Sequence, residues 1–343
     1  MNLETLFLDI YGCGIKVIGN SNLLNYFKLY FNNFITDDDI SITIEIIPTD
    51  VNYPLPIRVK GGLAGIDIEK NNMKSSYIIY YNNFVSGIDY ELIVNYTRFL
   101  LFWPDKCQVH AGGVVKDGKS YIFFAPQNTG KTTLVLYLLK KGFSLLSDDW
   151  IILGEDKKAY SYPQPVNIYD YNLAYSIDWC REFYGKKAIF VQFIMKLRHK
   201  FKEKIVPLIP NRVLRFGVDW FLSMPIKRIP VSGDYSKNSG FIKKAFWLYR
   251  DRNFNKINIQ RIDREALIER ACATYMYEFS EYFKWYYLIA QRGKRIEIIE
   301  NMQNHLRTAL QLILKDVECV EVLIPHNTAP EELGDAILTK IQE

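Results

Sequence analysis

Nothing in this chain is arranged to hold a metal through sulfur or through clustered imidazoles. Its five cysteines, Cys13, Cys107, Cys180, Cys272 and Cys319, are scattered without a C-x-x-C pair, and its four histidines are equally dispersed. Such spacing supplies neither a disulfide framework nor a zinc site, so a reducing, cytoplasmic setting is expected. No run reaches the ~18 consecutive apolar residues of a membrane span. The opening MNLETLFLDIYG has no basic n-region and no long apolar stretch, so no signal peptide is expected. Repeats and low-complexity tracts are missing too. So is the guanine-reading N-K-x-D of GTPases: Asn255-Lys256-Ile257-Asn258 lacks the aspartate, and no D-x-x-G follows Asp148 or Asp149 at the usual offset.

What is present is a globular composition, 49% hydrophobic and 15% aromatic over 343 residues, enough for two domains or one large one. Within it, Ala125-Pro126-Gln127-Asn128-Thr129-Gly130-Lys131-Thr132 fits the phosphate-cradling pattern G-x-x-x-x-G-K-[ST], with Ala at the first glycine position. Tyr121 to Phe124 reads as a strand buried on both faces, and Thr133 to Lys141 as a buried helix. Loop amides and a helix N-terminus offer donors and partial positive charge to a triphosphate. Residues from Ala125 through Thr133 are therefore the expected nucleotide site. Lys131 is placed on the β- and γ-phosphates, and Thr132 on Mg²⁺.

Matched lengths bring two acids back to this loop. Gly130 to Lys141 as a helix travels roughly 18 Å from the phosphates, and Phe143 to Asp148 as a strand returns about as far. Asp148 and Asp149 then stand where a base and a metal ligand belong. Lys116-Asp117-Gly118-Lys119 is a two-residue hairpin signal. With Asp117-Gly118 as the turn, paired numbers sum to 235, which sets His110 across from Ala125. Histidine positions or shuttles protons near neutral pH. A charged His110 beside Asp148 would favour the carboxylate form. His, phosphate loop and Asp-Asp together suit phosphoryl transfer to a hydroxyl.

These residues resemble the HPr kinase/phosphorylase family and the shorter HPr-kinase-like proteins found with modified-peptide biosynthesis genes. Those proteins carry a His ahead of the phosphate loop and an Asp-Asp after it, in the order of His110, the loop from Ala125, Lys131 and Ser147-Asp148-Asp149. The close match covers about forty residues. It implies an α/β fold with an HPr-kinase/PEP-carboxykinase-like P-loop core over 105–343, ending in a helical C-terminal part and preceded by an N-terminal α/β domain over 1–104. It also implies Asp148 as the base, His110 as its hydrogen-bond partner, and Thr132 and Asp149 on the metal side. The later glycine-rich signature that accompanies phosphorylase activity in bifunctional members is not found here, so neither dephosphorylation nor HPr itself as substrate is carried over by the resemblance.

Elsewhere the chain is less specific. Ile40, Ile42, Ile44 and Ile46 alternate with polar residues as a half-buried strand does, and Ser76 to Tyr81 reads as another. Asp89 caps an expected helix bearing Leu92, Ile93, Tyr96, Phe99, Leu100 and Trp103 on one face, ended by Pro104. Tyr162-Pro163-Gln164-Pro165 reads as a stiff loop, either simply shaped by its prolines or placed to approach the active site. Between Lys196 and Arg252 stand fourteen Lys and Arg against four acids, a net of +10 in a chain of +5. That concentration suggests an anionic partner, with Arg212, Arg215, Arg228 and Lys237 as candidates for steadying phosphate or gripping an acidic peptide. Asp263 is expected to cap a long aromatic helix, Val320 to Ile324 to form a late strand, and Pro330 to open the last helix.

Three functions fit this pattern. The first is an ATP- and Mg²⁺-dependent kinase acting on a hydroxyl, with a serine of a peptide or protein, such as a ribosomal precursor peptide, as acceptor. The second is a metabolite kinase acting on free serine or another small molecule. The third is a nucleotide-binding regulator. Neither nucleic acid nor membrane is expected as a partner, and a homo-oligomer is left open.

Overall fold

The computed structural model describes residues 3–38, 40–49, 66–71, 76–82, 93, 94, 97, 106–162, 166–174, 176–223, 227–229, 238–280, 283, 286, 287, 290 and 297–343. The class is α/β. A first sheet has the order β1-β2-β3-β5-β4, built from β1 (Glu4–Ile10), β2 (Cys13–Gly19), β3 (Ile42–Thr49), β4 (Ile66–Asn71) and β5 (Ser76–Asn82). Helix α1 (Ser21–Phe31) packs on it, capped by the Asn20 side chain at Leu23 N. The isoleucine alternation is a strand as expected, with Ile44 and Ile46 fully buried. Ile93, Val94 and Thr97 are helical, whereas Asp89, Leu92, Tyr96, Phe99, Leu100 and Trp103 lie outside the described residues.

The second sheet collects nine strands. They are β6 (Lys106–His110), β7 (Gly112–Lys116), β8 (Lys119–Phe124), β9 (Ser144–Ser147), β10 (Trp150–Gly154), β11 (Lys158–Tyr160), β14 (Ser239–Asp251), β15 (Asn258–Arg261) and β16 (Glu318–Pro325). A separate ribbon joins β12 (Val166–Ile168) to β13 (Lys227–Ile229). The main path is β6-β10-β11-β14-β8-β7-β9, and β16 joins the far half of β14 in parallel. Helices follow as α2 (Lys131–Lys140), α3 (Asp170–Ala174), α4 (Ile177–Tyr184), α5 (Ala188–Lys204), α6 (Arg212–Ser223), α7 (Arg264–Glu278), α8 (Glu297–Glu300), α9 (Met302–Ile313) and α10 (Pro330–Gln342).

β8 and β14 are apolar on both faces because helices cover both. Alternate side chains divide between two cores. Ile122, Phe124, Ala245 and Trp247 join Leu267, Leu306 and Leu310 of α7 and α9, in a core continuous with the first sheet. Tyr121, Phe123, Phe246 and Leu248 join Leu134, Leu138, Leu333 and Ile337 of α2 and α10. Tyr11 donates to the Ser161 carbonyl at 2.9 Å, and Phe31 meets Tyr162 edge-on at 5.8 Å. Tyr162 is thereby buried in packing rather than offered to a ligand, and residues 163–165 lie outside the described residues.

At Gly334, α10 crosses α2 so closely that an added Cβ would meet the Tyr137 ring at 2.3 Å. The ring cannot step aside freely, because its hydroxyl is bonded to Asp335. Gly334→Ala is expected to destabilise the fold by about 1–3 kcal/mol, the usual cost of overpacking. Chemical denaturation checks it, and an unchanged midpoint would show that the two helices slide apart without cost.

Candidate active site

The loop that carries the phosphate-cradling pattern, Ala125 to Thr132, forms at the end of β8. Asn128 (φ 61°) and Gly130 (φ 109°) take the left-handed backbone that turns the chain into α2. Ala125 has no positive φ, so the side chain at the first motif position carries no conformational penalty. Gly130 is the N-cap of α2 and brings no side chain to the first-turn amides. Lys131 is nearly fully buried and donates from Nζ to the Ala125 carbonyl at 3.0 Å, folding back over the loop. Arg250, at the end of β14, supports the loop from behind. Its Nε donates to the Thr129 carbonyl at 3.2 Å and its guanidinium to the His326 carbonyl at 2.9 Å. Asn172 of α3 donates to Thr133 Oγ1 at 2.8 Å.

The two aspartates follow β9 and diverge. Asp148 is 3% exposed, and its Oδ2 accepts from Thr132 Oγ1 at 3.0 Å. Its Oδ1 is buried without a hydrogen-bond partner, as is His110 Nδ1. Asp149 lies on the other side, with Oδ1 3.9 Å from His110 Nε2. Loop, acids and histidine enclose a cavity of about 530 Å³, within the range of small-molecule sites.

His110 arrives here by a different route from the one the hairpin predicts. The Asp117-Gly118 turn is real, with positive φ at both residues and pairs such as Val114↔Tyr121 and Gly112↔Phe123. The chain breaks register at Ala111, however, and His110 belongs to β6, where it pairs with Trp150 of β10 and not with Ala125. The Ala111 amide donates to the Asp149 carbonyl at 2.9 Å, which fixes His110 beside Asp149. The expected His110–Asp148 hydrogen bond is therefore replaced by a Thr132–Asp148 bond and a His110–Asp149 approach. The charged imidazole is corrected as well. Burial, then the nearby Lys131, holds His110 well below the ordinary imidazole value, so it is neutral at pH 7.

The acids respond to the same enclosure. Burial, then Asp149, pushes Asp148 well above the usual carboxylate range, against Thr132 and Lys131. Burial also holds Lys131 below the normal lysine value, against the pull of Asp149, Asp148 and Glu278. Thr132, whose hydroxyl is bonded to Asp148, and Asp149 offer hard oxygen donors beside the loop. That set fits Mg²⁺. No cage of three or more His, Cys, Asp or Glu occurs among the described residues. Mg²⁺ needs none, since it is usually held by one or two carboxylates together with substrate phosphates.

The predicted arginines are elsewhere. Arg212 and Arg215 lie exposed on α6 and do not line the cavity. Arg228 sits in β13, and Lys237 lies outside the described residues. From the basic segment it is Lys202 of α5 that reaches the cavity wall. Sequence reasoning also missed Glu278, which accepts from Gln127 at the loop, and the Tyr169-Asp170-Tyr171 rim. Asp170 is 3% exposed with Oδ2 unpartnered, and the rings of Tyr169 and Tyr171 stack at 5.3 Å. No linear signal marks these positions, because helix ends and strand ends converge here only on folding. No protein-family model matches the chain, and no curated protein matches it.

Proposed function

We propose that the protein is an ATP- and Mg²⁺-dependent kinase that transfers the γ-phosphoryl group to a hydroxyl, with a serine of a peptide or protein as the acceptor. The reading rests on one observation: Asp148 is bonded to the hydroxyl of Thr132 at the mouth of a loop whose lysine is buried beside it. The order of His110, loop and acidic pair supports an HPr-kinase-like core around it. The first-turn amides of α2 and Lys131 hold the triphosphate, and Arg250 keeps the loop in shape. Thr132 and Asp149 are the proposed metal ligands; Mg²⁺ held there would supply charge neutralisation to the transferred phosphoryl group.

Asp148 is the proposed base. Thr132 fixes one carboxylate oxygen and leaves the other unpartnered to accept the acceptor's proton. As that proton moves to Asp148, the acceptor oxygen bonds to the γ-phosphorus and the bridging P–O bond breaks, releasing ADP. Neutral His110 stands 3.9 Å from Asp149, on the proposed metal side, and has no bond to Asp148.

Calorimetric titration with ATP is expected to show binding that strengthens with Mg²⁺. Radiolabel from the γ-position is then expected on serine-containing peptides in preference to free serine. Absence of Mg²⁺-dependent ATP binding would overturn the reading. Binding without transfer to any hydroxyl would favour a nucleotide-binding regulator, and transfer to free serine as readily as to peptides would favour a metabolite kinase.

A further inference from the structure

Helices α5 and α6 carry their apolar residues on the outside. The inner face of α5 is short: Ala188, Val191 and Met195 pack on the core, and Lys202 turns to the cavity. Its outer face repeats large apolar residues at helical spacing. Phe190 is 68% exposed and Phe193 58%, with Leu197 and Phe201 continuing the stripe. On α6, Phe216 is 74% and Phe221 65% exposed. Asn211 caps α6, and Arg198 ties its far end through the Leu222 carbonyl at 3.0 Å. Large exposed apolar residues grouped on two neighbouring helices mark an interaction site.

Charge and shape select the partner. Residues 188–223 hold seven Lys and Arg against Glu203 and Asp219. Lys196, Lys200, Lys204, Arg212 and Arg215 are exposed around the apolar stripe. A second copy would bring the same positive charge to the contact, which is unfavourable. Phe190, Phe193, Phe216 and Phe221 each keep more than half of their surface exposed, whereas a helical peptide is normally received by a groove that buries its anchors. Protruding aromatics with a basic rim are what an interfacial helix presents to acyl chains and anionic headgroups.

We propose that α5 and α6 form a docking arm that lies on an anionic lipid surface. This differs from spanning a bilayer: no helix among the described residues is long and apolar enough to cross one. The arm would hold the protein at a membrane face by its outer side while the inner side of α5, with Lys202, still borders the cavity. The role first expected of Arg212 and Arg215, gripping an anionic partner, passes to headgroup contact.

Vesicle flotation of the full chain tests it, using phosphatidylcholine vesicles with and without phosphatidylglycerol. Binding is expected to be tenfold or more stronger on the anionic vesicles, on the order expected for several basic residues near a charged surface, and to weaken with salt. Phe190→Ser with Phe193→Ser, and separately Phe216→Ser with Phe221→Ser, are expected to lower binding at least tenfold. Being exposed, these positions should leave the circular dichroism spectrum and Mg²⁺-ATP affinity unchanged. Three results would overturn the proposal: no flotation with either vesicle, equal binding to both, or a dimer in light scattering that the serine variants dissolve. The last would make the arm a contact between copies. Loss of ATP binding in the wild type would count against the kinase reading alone and leave the lipid result standing.

Discussion

Lys131→Ala is expected to lower phosphoryl transfer by at least ~10²–10³, the range for removing one preorganised charge-stabilising donor. The geometry explains why no neighbour substitutes. Lys131 is the first residue of α2, buried beneath the loop with Nζ on the Ala125 carbonyl, within reach of the site where the phosphates would lie. Lys202 borders the same cavity but comes from α5, outside the loop. Asp148, Asp149 and Glu278 all feel the Lys131 charge, so its loss leaves a net negative cavity that repels a triphosphate. Mg²⁺-ATP affinity should therefore fall along with turnover. Lys131→Arg retains the charge but replaces a compact ammonium with a planar fork, and should recover little. The fold should survive, since an uncharged side chain removes a buried charge. Stopped transfer with intact folding, measured by radiolabel incorporation and thermal melting, is the expected pair of results. Wild-type affinity for Mg²⁺-ATP in Lys131→Ala would exclude the loop as the phosphate site.

Asp148→Asn is expected to separate chemistry from stability. Asparagine keeps the shape and one acceptor for Thr132 but cannot take the hydroxyl proton, so transfer should fall by at least ~10². Stability should move the other way. The folded-state pKa of Asp148 is raised by burial and Asp149, so the unfolded chain binds fewer protons at this site than the folded one. Such a group favours folding fully only below its unfolded value and loses that advantage as pH rises toward its folded value. At neutral pH without nucleotide, Asp148→Asn should thus melt higher than wild type, and the difference should shrink as pH falls toward the ordinary aspartate value and be lost below it. Asp149→Asn gives the contrast. A carboxylate that is part-exposed beside neutral His110 should affect Mg²⁺-dependent ATP binding more than melting. If Asp148→Asn turns over normally while Asp149→Asn does not, the base is Asp149 and the two roles exchange.

Much of this could be read in the chain before folding, because local features report local requirements. Asp117-Gly118 announced its turn because only that backbone closes a two-residue hairpin. Asp263 and Pro330 announced two helices through the needs of a first turn. The loop was legible even with Ala125 in a glycine position, since the left-handed backbone falls at Asn128 and Gly130. The return of an acidic pair to that loop followed from matched helix and strand lengths. What misled was extrapolation across Ala111: one break in register moved His110 from β7's line into β6, and from Ala125 to Trp150.

The sequence by itself determined the hairpin, strand, loop and helix around Ala125 to Thr132 and the presence of two acids beside that loop. These rest on periodicity, on backbone conformations only certain residues adopt, and on lengths that simple geometry converts to distance. The tertiary structure alone decided which acid meets which partner. Asp148 and Asp149 are adjacent, and successive side chains leaving a strand point opposite ways, so one reaches Thr132 and the other His110. It alone brought Glu278 and Lys202, far along the chain, to the cavity wall. It alone turned the aromatic stripe of α5 outward. Helical periodicity shows that a stripe exists, but what covers it depends on which neighbouring elements are left to pack against it, and here the core takes the other, shorter face.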